Sequence, residues 1–317
     1  MKSRHLVFLV LTLLATPTAW GQTGALRIVV GFPPGGSADV TARALAERMK
    51  DSLGTTVIVD NKPGAGGRIA AQSVKDAAPD GLTVMLAPFA VMVVQPMVFR
   101  SVKYDTSRDF TPVGNAVTFP LALAAGPMTP ATTMKELVDW LRANPAQANY
   151  GSPAAGSMPH FLGELLGAAA KVKLTHVPFQ GGAPMVINLL GGQIPIGFDT
   201  PAEFAEHHRA GKLRMLALSG GQRSPRFPGV PTFKEQGIDI DATAWFGVFG
   251  PAGMPRATVD RLNAAMQAAL KAPDIVERLD KLGLSAAPGS AEEMSRRLAA
   301  DKALWNPVIS ASGFQAD

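Results

Sequence analysis

Leu26-Arg27-Ile28-Val29-Val30-Gly31-Phe32-Pro33-Pro34-Gly35-Gly36-Ser37-Ala38-Asp39 is the stretch on which the fold turns. Its first five residues are an apolar run without strict alternation, as a parallel strand buried on both faces requires. Beyond Asp39 an apolar face at Ala42, Leu45, Ala46, Met49 and Leu53 predicts a helix that Gly54 ends, and Ser37 is placed to cap it. Between strand and helix lies a loop of Gly and Pro. Glycine lets backbone approach a ligand closely, and a helix start offers unpaired N–H donors and a partial positive charge. Such a loop suits a carboxylate, sulfate or phosphate without any Lys or Arg.

Outward from this unit the alternation continues. Residues 56–59 predict a second strand, 61–67 a loop, and Ile69, Ala70, Ser73, Val74 and Ala77 a small-residue helix face. Pro79-Asp80-Gly81 is a turn before a strand at 83–87, so the order is βαβαβ and a parallel sheet follows. After Gly126-Pro127 a second set begins, with strands at 149–151, 174–177, 194–198 and 213–218 and helices starting near Thr133, Ser157, Ala183 and Ala202. Residues 223–231 read as surface loop, 243–249 as a strand, and the tail from Pro255 as mainly helical, with Leu262, Ala265, Met266, Ala269 and Leu270 on its buried face. Strands near 113–125 and 241–249 would join two α/β units into a bilobed molecule with a cleft.

The second unit carries its own Gly/Ser loop, Tyr150-Gly151-Ser152-Pro153-Ala154-Ala155-Gly156-Ser157-Met158-Pro159-His160. Two such loops facing each other would form an anion clamp. Within them Ser37 caps its helix or donates to a ligand. Asp39 complements the helix dipole, or else meets the ligand. His160 either faces the ligand or makes a structural hydrogen bond. Asp199, at the end of the 194–198 strand, forms a turn or binds, since parallel sheets present ligand groups there.

The chain begins with the basic stretch Met1-Lys2-Ser3-Arg4-His5, then a nearly unbroken apolar run to Ala15, then Ala19-Trp20-Gly21. That is a signal-peptide pattern over residues 1–21, its apolar run about half the ~20 residues a membrane span needs. An N-terminal anchor helix is the plainer alternative. There are 0 cysteines, which excludes disulfides and thiolate metal sites, and an exported chain without cysteine points to a bacterial periplasm. Without Lys2 and Arg4 the chain holds 28 basic and 25 acidic residues, scattered and with few aromatics, so no nucleic-acid surface is expected.

Catalytic and cofactor signals are poor. The G-x-S-x-G, H-E-x-x-H and phosphate-loop patterns are missing, and Gly64-Ala65-Gly66-Gly67-Arg68-Ile69 has Ile69 where a dinucleotide fingerprint needs its third glycine. His207-His208 sits at the end of a surface helix and reads as solvated. A Ser157/His160 hydrolase dyad is a rival reading with no orienting carboxylate nearby in sequence. No metal and no cofactor are expected.

Taken together, Phe32-Pro33-Pro34-Gly35-Gly36, Gly64-Ala65-Gly66-Gly67, Pro79-Asp80-Gly81, Tyr150-Gly151-Ser152, Gly156-Ser157, His160, His176-Val177-Pro178-Phe179 and Gly191-Gly192-Gln193 resemble the Bug receptors. These are the solute receptors of tripartite tricarboxylate transporters, and the match runs in order over nearly the whole mature chain. The resemblance implies a two-lobed periplasmic binding-protein fold of the type II-like, Venus-flytrap kind, each lobe a mainly parallel sheet flanked by helices. Lobe 1 would comprise 22–123 with 247–317 and lobe 2 124–246. It implies a non-enzymatic monomer that closes on a small organic carboxylate and hands it to one large and one small membrane subunit, or alternatively to a sensor. The residues carried over are Phe32, Pro34, Gly35, Gly36, Ser37 and Asp39 in the first loop, and Ser152, Ala154, Gly156, Ser157 and His160 in the second. Phe89, Phe198 and Asp199 would add a wall. The chain departs from the family at Phe32 for Tyr, Ala70 for Gly, and Gln180 where Lys is common.

Overall fold

In the computed structural model, which describes residues 24–316, β1 (Leu26–Val30) buries every side chain except Arg27. It pairs in parallel with β2 (Val57–Asn61) on one side and β3 (Thr83–Pro88) on the other. The expected signal peptide, 1–21, lies outside the described residues. The crossovers are α1 (Ser37–Leu53) and α2 (Arg68–Lys75). A π-type turn at Ala90–Val94 then runs into α3 (Gln95–Val98), and α4 (Thr106–Asp109) precedes the long β4 (Phe110–Pro120).

β5 (Ala122–Ala125) opens the second sheet and is followed by α5 (Met134–Ala143), β6 (Asn149–Ser152), α6 (Met158–Ala170) and β7 (Thr175–Pro178). Next come α7 (Gly182–Leu190), β8 (Ile196–Asp199), α8 (Pro201–Arg209) and β9 (Arg214–Leu218). The chain returns to the first sheet through β10 (Thr243–Pro251) and ends with α9 (Arg256–Leu270), α10 (Pro273–Lys281), β11 (Ser285–Ala286) and α11 (Ala291–Ser312). The sheet orders are β11-β4-β10-β3-β1-β2 and β7-β6-β8-β5-β9, one per lobe.

The parallel pairing expected from βαβ order holds for β2-β1-β3 and for β7-β6-β8. The strands next to the crossings do not share it. β10 is antiparallel to both β3 and β4, and β5 to both β8 and β9, because a chain arriving from the other lobe enters the sheet from the opposite end.

Where the crossings meet, Ser219 ties three segments together with no exposed surface. Its Oγ accepts the Leu121 N–H at 2.9 Å and donates to the Ala242 carbonyl; its own N–H donates to the Leu121 carbonyl at 2.8 Å. One apolar cluster runs through both lobes and includes Phe89, Leu123, Phe161, Phe198, Trp245 and Trp305. Phe89 meets Trp245 and Trp305 edge-on, with ring centroids 5.8 and 5.9 Å apart. Truncating such buried aromatics costs about 3–5 kcal/mol, so the crossing region is core as well as connector.

Candidate functional site

Both Gly/Ser loops leave the carboxyl ends of parallel strands, β1 and β6, and each opens a helix. In the first loop Phe32 is half-buried, Pro33, Pro34, Gly35, Gly36 and Ser37 are exposed, and Asp39 is buried. The N-cap of α1 is Gly36, with φ −74 and ψ 166, and no side chain caps it. This corrects the expectation that Ser37 caps the helix. Ser37 lies one residue inside, and Asp39 reaches back instead to accept the Gly35 N–H at 2.9 Å. Gly35 carries the left-handed backbone, φ +91.

Asp39 is also held by Arg43 Nε at 2.9 Å and Asn61 Nδ2 at 2.9 Å. Burial alone would raise its pKa, but these donors outweigh burial and bring it to about 2. Asn61, at the end of β2, further donates to the Phe32 carbonyl at 3.0 Å and accepts from Arg43 at 3.0 Å. From the sequence Asn61 reads only as the start of a loop, whereas it closes β2; an amide closing a parallel strand beside a glycine loop is the available signal. The 64–67 loop supports the same corner, since a Cβ on Gly31 would lie 2.6 Å from Gly67 Cα. Gln95 Nε2 donates to the Gly66 carbonyl at 2.8 Å.

In the second loop Ser157 is the N-cap of α6; its Oγ accepts the His160 N–H at 3.4 Å and donates to the Ala154 carbonyl at 2.6 Å. Gly156 has φ +71 and donates its N–H to His160 Nδ1 at 3.1 Å. That bond puts the proton of a neutral His160 on Nε2, which lies 3.9 Å from Glu164 Oε1. His160 stacks on His176 with centroids 3.8 Å apart and planes at 15°, and His176 Nε2 lies 2.7 Å from Ser152 Oγ. Burial lowers both imidazoles to about 4, helped at His176 by its neighbour, so both are neutral near pH 7. In the sequence His176 stands out only within His176-Val177-Pro178-Phe179. Its partnership with His160 spans two elements and leaves no local signal.

Of the expected wall, Phe89 and Phe198 are buried, Phe198 edge-on to Tyr150 at 5.7 Å. Asp199 Oδ1 accepts the Thr200 N–H at 2.7 Å, and burial pushes the carboxyl up to about 7. A Cβ on Gly182 would lie 2.6 Å from Asp199 Oδ2, so the start of α7 sits against this carboxyl. Ser152, Gly182 and Asp199 thus gather at the carboxyl edge of one sheet. Among the described residues no hydrogen bond or ring contact joins the first loop to the second, and no Ser157 Oγ–imidazole bond forms. The serine–imidazole contact that does form involves Ser152, which has 0% exposure. No group of three His, Cys, Asp or Glu that could hold a metal occurs among the described residues.

A family model described as the tripartite tricarboxylate transporter family receptor matches residues 41–314. Protein BugT of Bordetella pertussis is 32% identical over 290 residues, covering 91% of this chain and 89% of BugT. A TctC solute binding protein from Polaromonas, solved without ligand, superposes with a TM-score of 0.82 at 30% identity, covering 92% of this chain and 99% of that one. The R. palustris protein Rpa4515, solved with adipate, superposes with a TM-score of 0.77 at 31% identity, covering 93% and 99%.

Proposed function

This chain belongs to the tripartite tricarboxylate transporter receptor family, and from that premise we propose that it is a periplasmic receptor that captures a small carboxylate between its lobes. It hands the carboxylate to a large and a small membrane subunit, acts as a monomer and catalyses nothing. The lobes we assign follow the expected division, 22–123 with 247–317 and 124–246, moved by a few residues at each crossing so that β5 lies whole in the second lobe and β10 whole in the first. The observation that carries the reading is the repeated one: in each lobe a Gly/Ser loop joins the carboxyl end of a parallel strand to a helix start. No helix among the described residues is long and apolar enough to cross a membrane.

The ligand carboxylate is held by the backbone N–H groups of Gly36, Ser37, Ala154, Ala155 and Ser157 rather than by an ion pair, those of Gly35 and Gly156 being committed to Asp39 and His160. Beneath them Asp39 and the neutral His160 brace the two loops, and Asp199 borders the remainder of the ligand. Hydrogen bonds to a charged group contribute about 1.5–3 kcal/mol each. Four to six of them, less the cost of closure, are compatible with a binding free energy of about −8 kcal/mol, a micromolar affinity that still permits release. Adipate, bound by the R. palustris neighbour, is the first probe.

Calorimetry and thermal shift over a panel of mono-, di- and tricarboxylates test the reading. One class should bind saturably at one site per chain, and NMR of the same mixture should show the carboxylate chemically unchanged after hours. Failure of every carboxylate to stabilise the protein would overturn receptor function, and turnover of a bound ester or amide would favour the hydrolase.

A further inference from the structure

The end of the chain is held by one lobe and presses on the other. Gly313, at φ +65, turns the chain out of α11, and the next residues run back beside the end of α3. There Ala316 N–H donates to the Val98 carbonyl at 2.8 Å and Arg100 N–H to the Ala316 carbonyl at 3.3 Å, so Phe99 and Ala316 pair in parallel. Arg100 Nε also donates to the Gln315 side-chain oxygen at 3.0 Å. These contacts fasten the segment to the lobe that carries the first loop.

Between those anchors the ring of Phe314 points at the second loop. It meets His160 edge-on at 5.1 Å and 86°, and Phe161 at 6.1 Å. A Cβ on Gly156 would lie 3.0 Å from the Phe314 ring and 3.8 Å from Val98. Gly156 is where the loop takes its left-handed turn, and its N–H is tied to the same imidazole that Phe314 covers. A turn of that kind persists when its surroundings over-determine it. Here part of the surroundings comes from the other lobe.

We propose that residues 313–316 form a strap through which the first lobe holds the second loop in shape, with Phe314 as the positioning residue. Its consequence for ligand binding rests on the reading of that loop as a carboxylate site; the strap itself does not. Strapping one loop from the opposite lobe couples loop order to lobe position, so the loop is preformed only while the strap is seated. Two losses would unseat it: the ring at Phe314, or the Ala316 N–H that ties the segment to Val98.

Hydrogen exchange by mass spectrometry, on the exported chain without ligand, reads loop order directly. Phe314→Ala and Ala316→Pro should each speed exchange across 152–160 by about tenfold, leaving 33–39 at the wild-type rate, because local opening is governed by local contacts. Phe314→Tyr, which keeps the ring, should restore protection. Unchanged exchange at 152–160 in Ala316→Pro would overturn the strap, and so would equal acceleration of both loops. An adipate titration of the same variants separates the two readings. Faster exchange with unchanged adipate affinity keeps the strap and removes the second loop from the binding site.

Discussion

At Gly35 the backbone takes φ +91, whereas Gly36 beside it takes φ −74 with the Pro33 carbonyl, 3.9 Å from a would-be Cβ, as its near neighbour. The two glycines therefore answer different questions. Gly35→Ala should lower stability by about 1–2 kcal/mol, since an L side chain resists the left-handed region. Gly36→Ala keeps a backbone that any residue adopts, and the reduced entropy of the unfolded chain is set against alanine's poor fit at an N-cap, so its melting temperature should stay within a few degrees of the wild type. If the carboxylate sits on the backbone here, Gly36→Ala should still weaken it at least tenfold by calorimetry. Full affinity in Gly36→Ala would take the first loop out of the site. Asp39 shows the same logic for charge. Its oxygens are committed to Gly35, Arg43 and Asn61, so it shapes the loop from beneath.

At the scale of elements, the packing of α6 on β6 and β7 stacks two neutral imidazoles, while β8 ends in a carboxyl raised to about 7. Their contributions to stability oppose each other between about pH 4 and pH 7. An unfolded chain protonates both histidines near their ordinary pKa of ~6.5, whereas the folded chain waits until about 4, so stability falls as pH drops through that window. For Asp199 the folded form keeps a proton that the unfolded chain has lost, so its stabilisation is present at low pH and fades as pH rises towards 7. Two histidines against one aspartate leave a net gain of roughly 1 kcal/mol per pH unit near pH 5.5. Denaturant melts at pH 5 and pH 6 check this, and Asp199→Asn should about double the slope by removing the opposing group. A slope that shrinks in Asp199→Asn would contradict the assignment.

For the whole molecule, the proposed capture of a carboxylate between the lobes would require them to move about the crossings near 119–125 and 243–249. Trp245 lies in the second crossing, with 0% exposure, donating its indole N–H to Asp301 at 2.7 Å and resting edge-on against Phe89. α11 grips the same strand through Arg297, which donates to the Thr243 carbonyl at 3.1 Å. A carboxylate shared by both loops shifts the open–closed balance only by its preference for the closed form. A ligand identified by calorimetry should therefore reduce the radius of gyration in small-angle scattering and change Trp245 emission in parallel. A ligand bound by one lobe alone would leave both unchanged.

Period and punctuation in the sequence were sufficient for every strand but the short β11, for most helices, for both Gly/Ser loops and for the division into two α/β units, because apolar runs and glycine turns are local features. β11 is two residues long, exists only by pairing with β4, and lies in a tail that reads as helical. Buried parallel strands read as apolar runs, and glycine marks where backbone must turn or come close. The ordered motifs added a carboxylate receptor to that frame. Tertiary structure alone decided the partnerships: Asn61 with Asp39, His176 with His160, Ser219 with Leu121 and Ala242, Phe314 with Gly156. Each joins segments that lie apart in sequence and meet only when sheets and helices pack, and no local pattern encodes which distant residue arrives. The cap of α1 moved to Gly36 for a related reason: with Asp39 held by Asn61 from β2, the backbone of Gly35 already had its acceptor, and Ser37 was left free at the mouth of the loop.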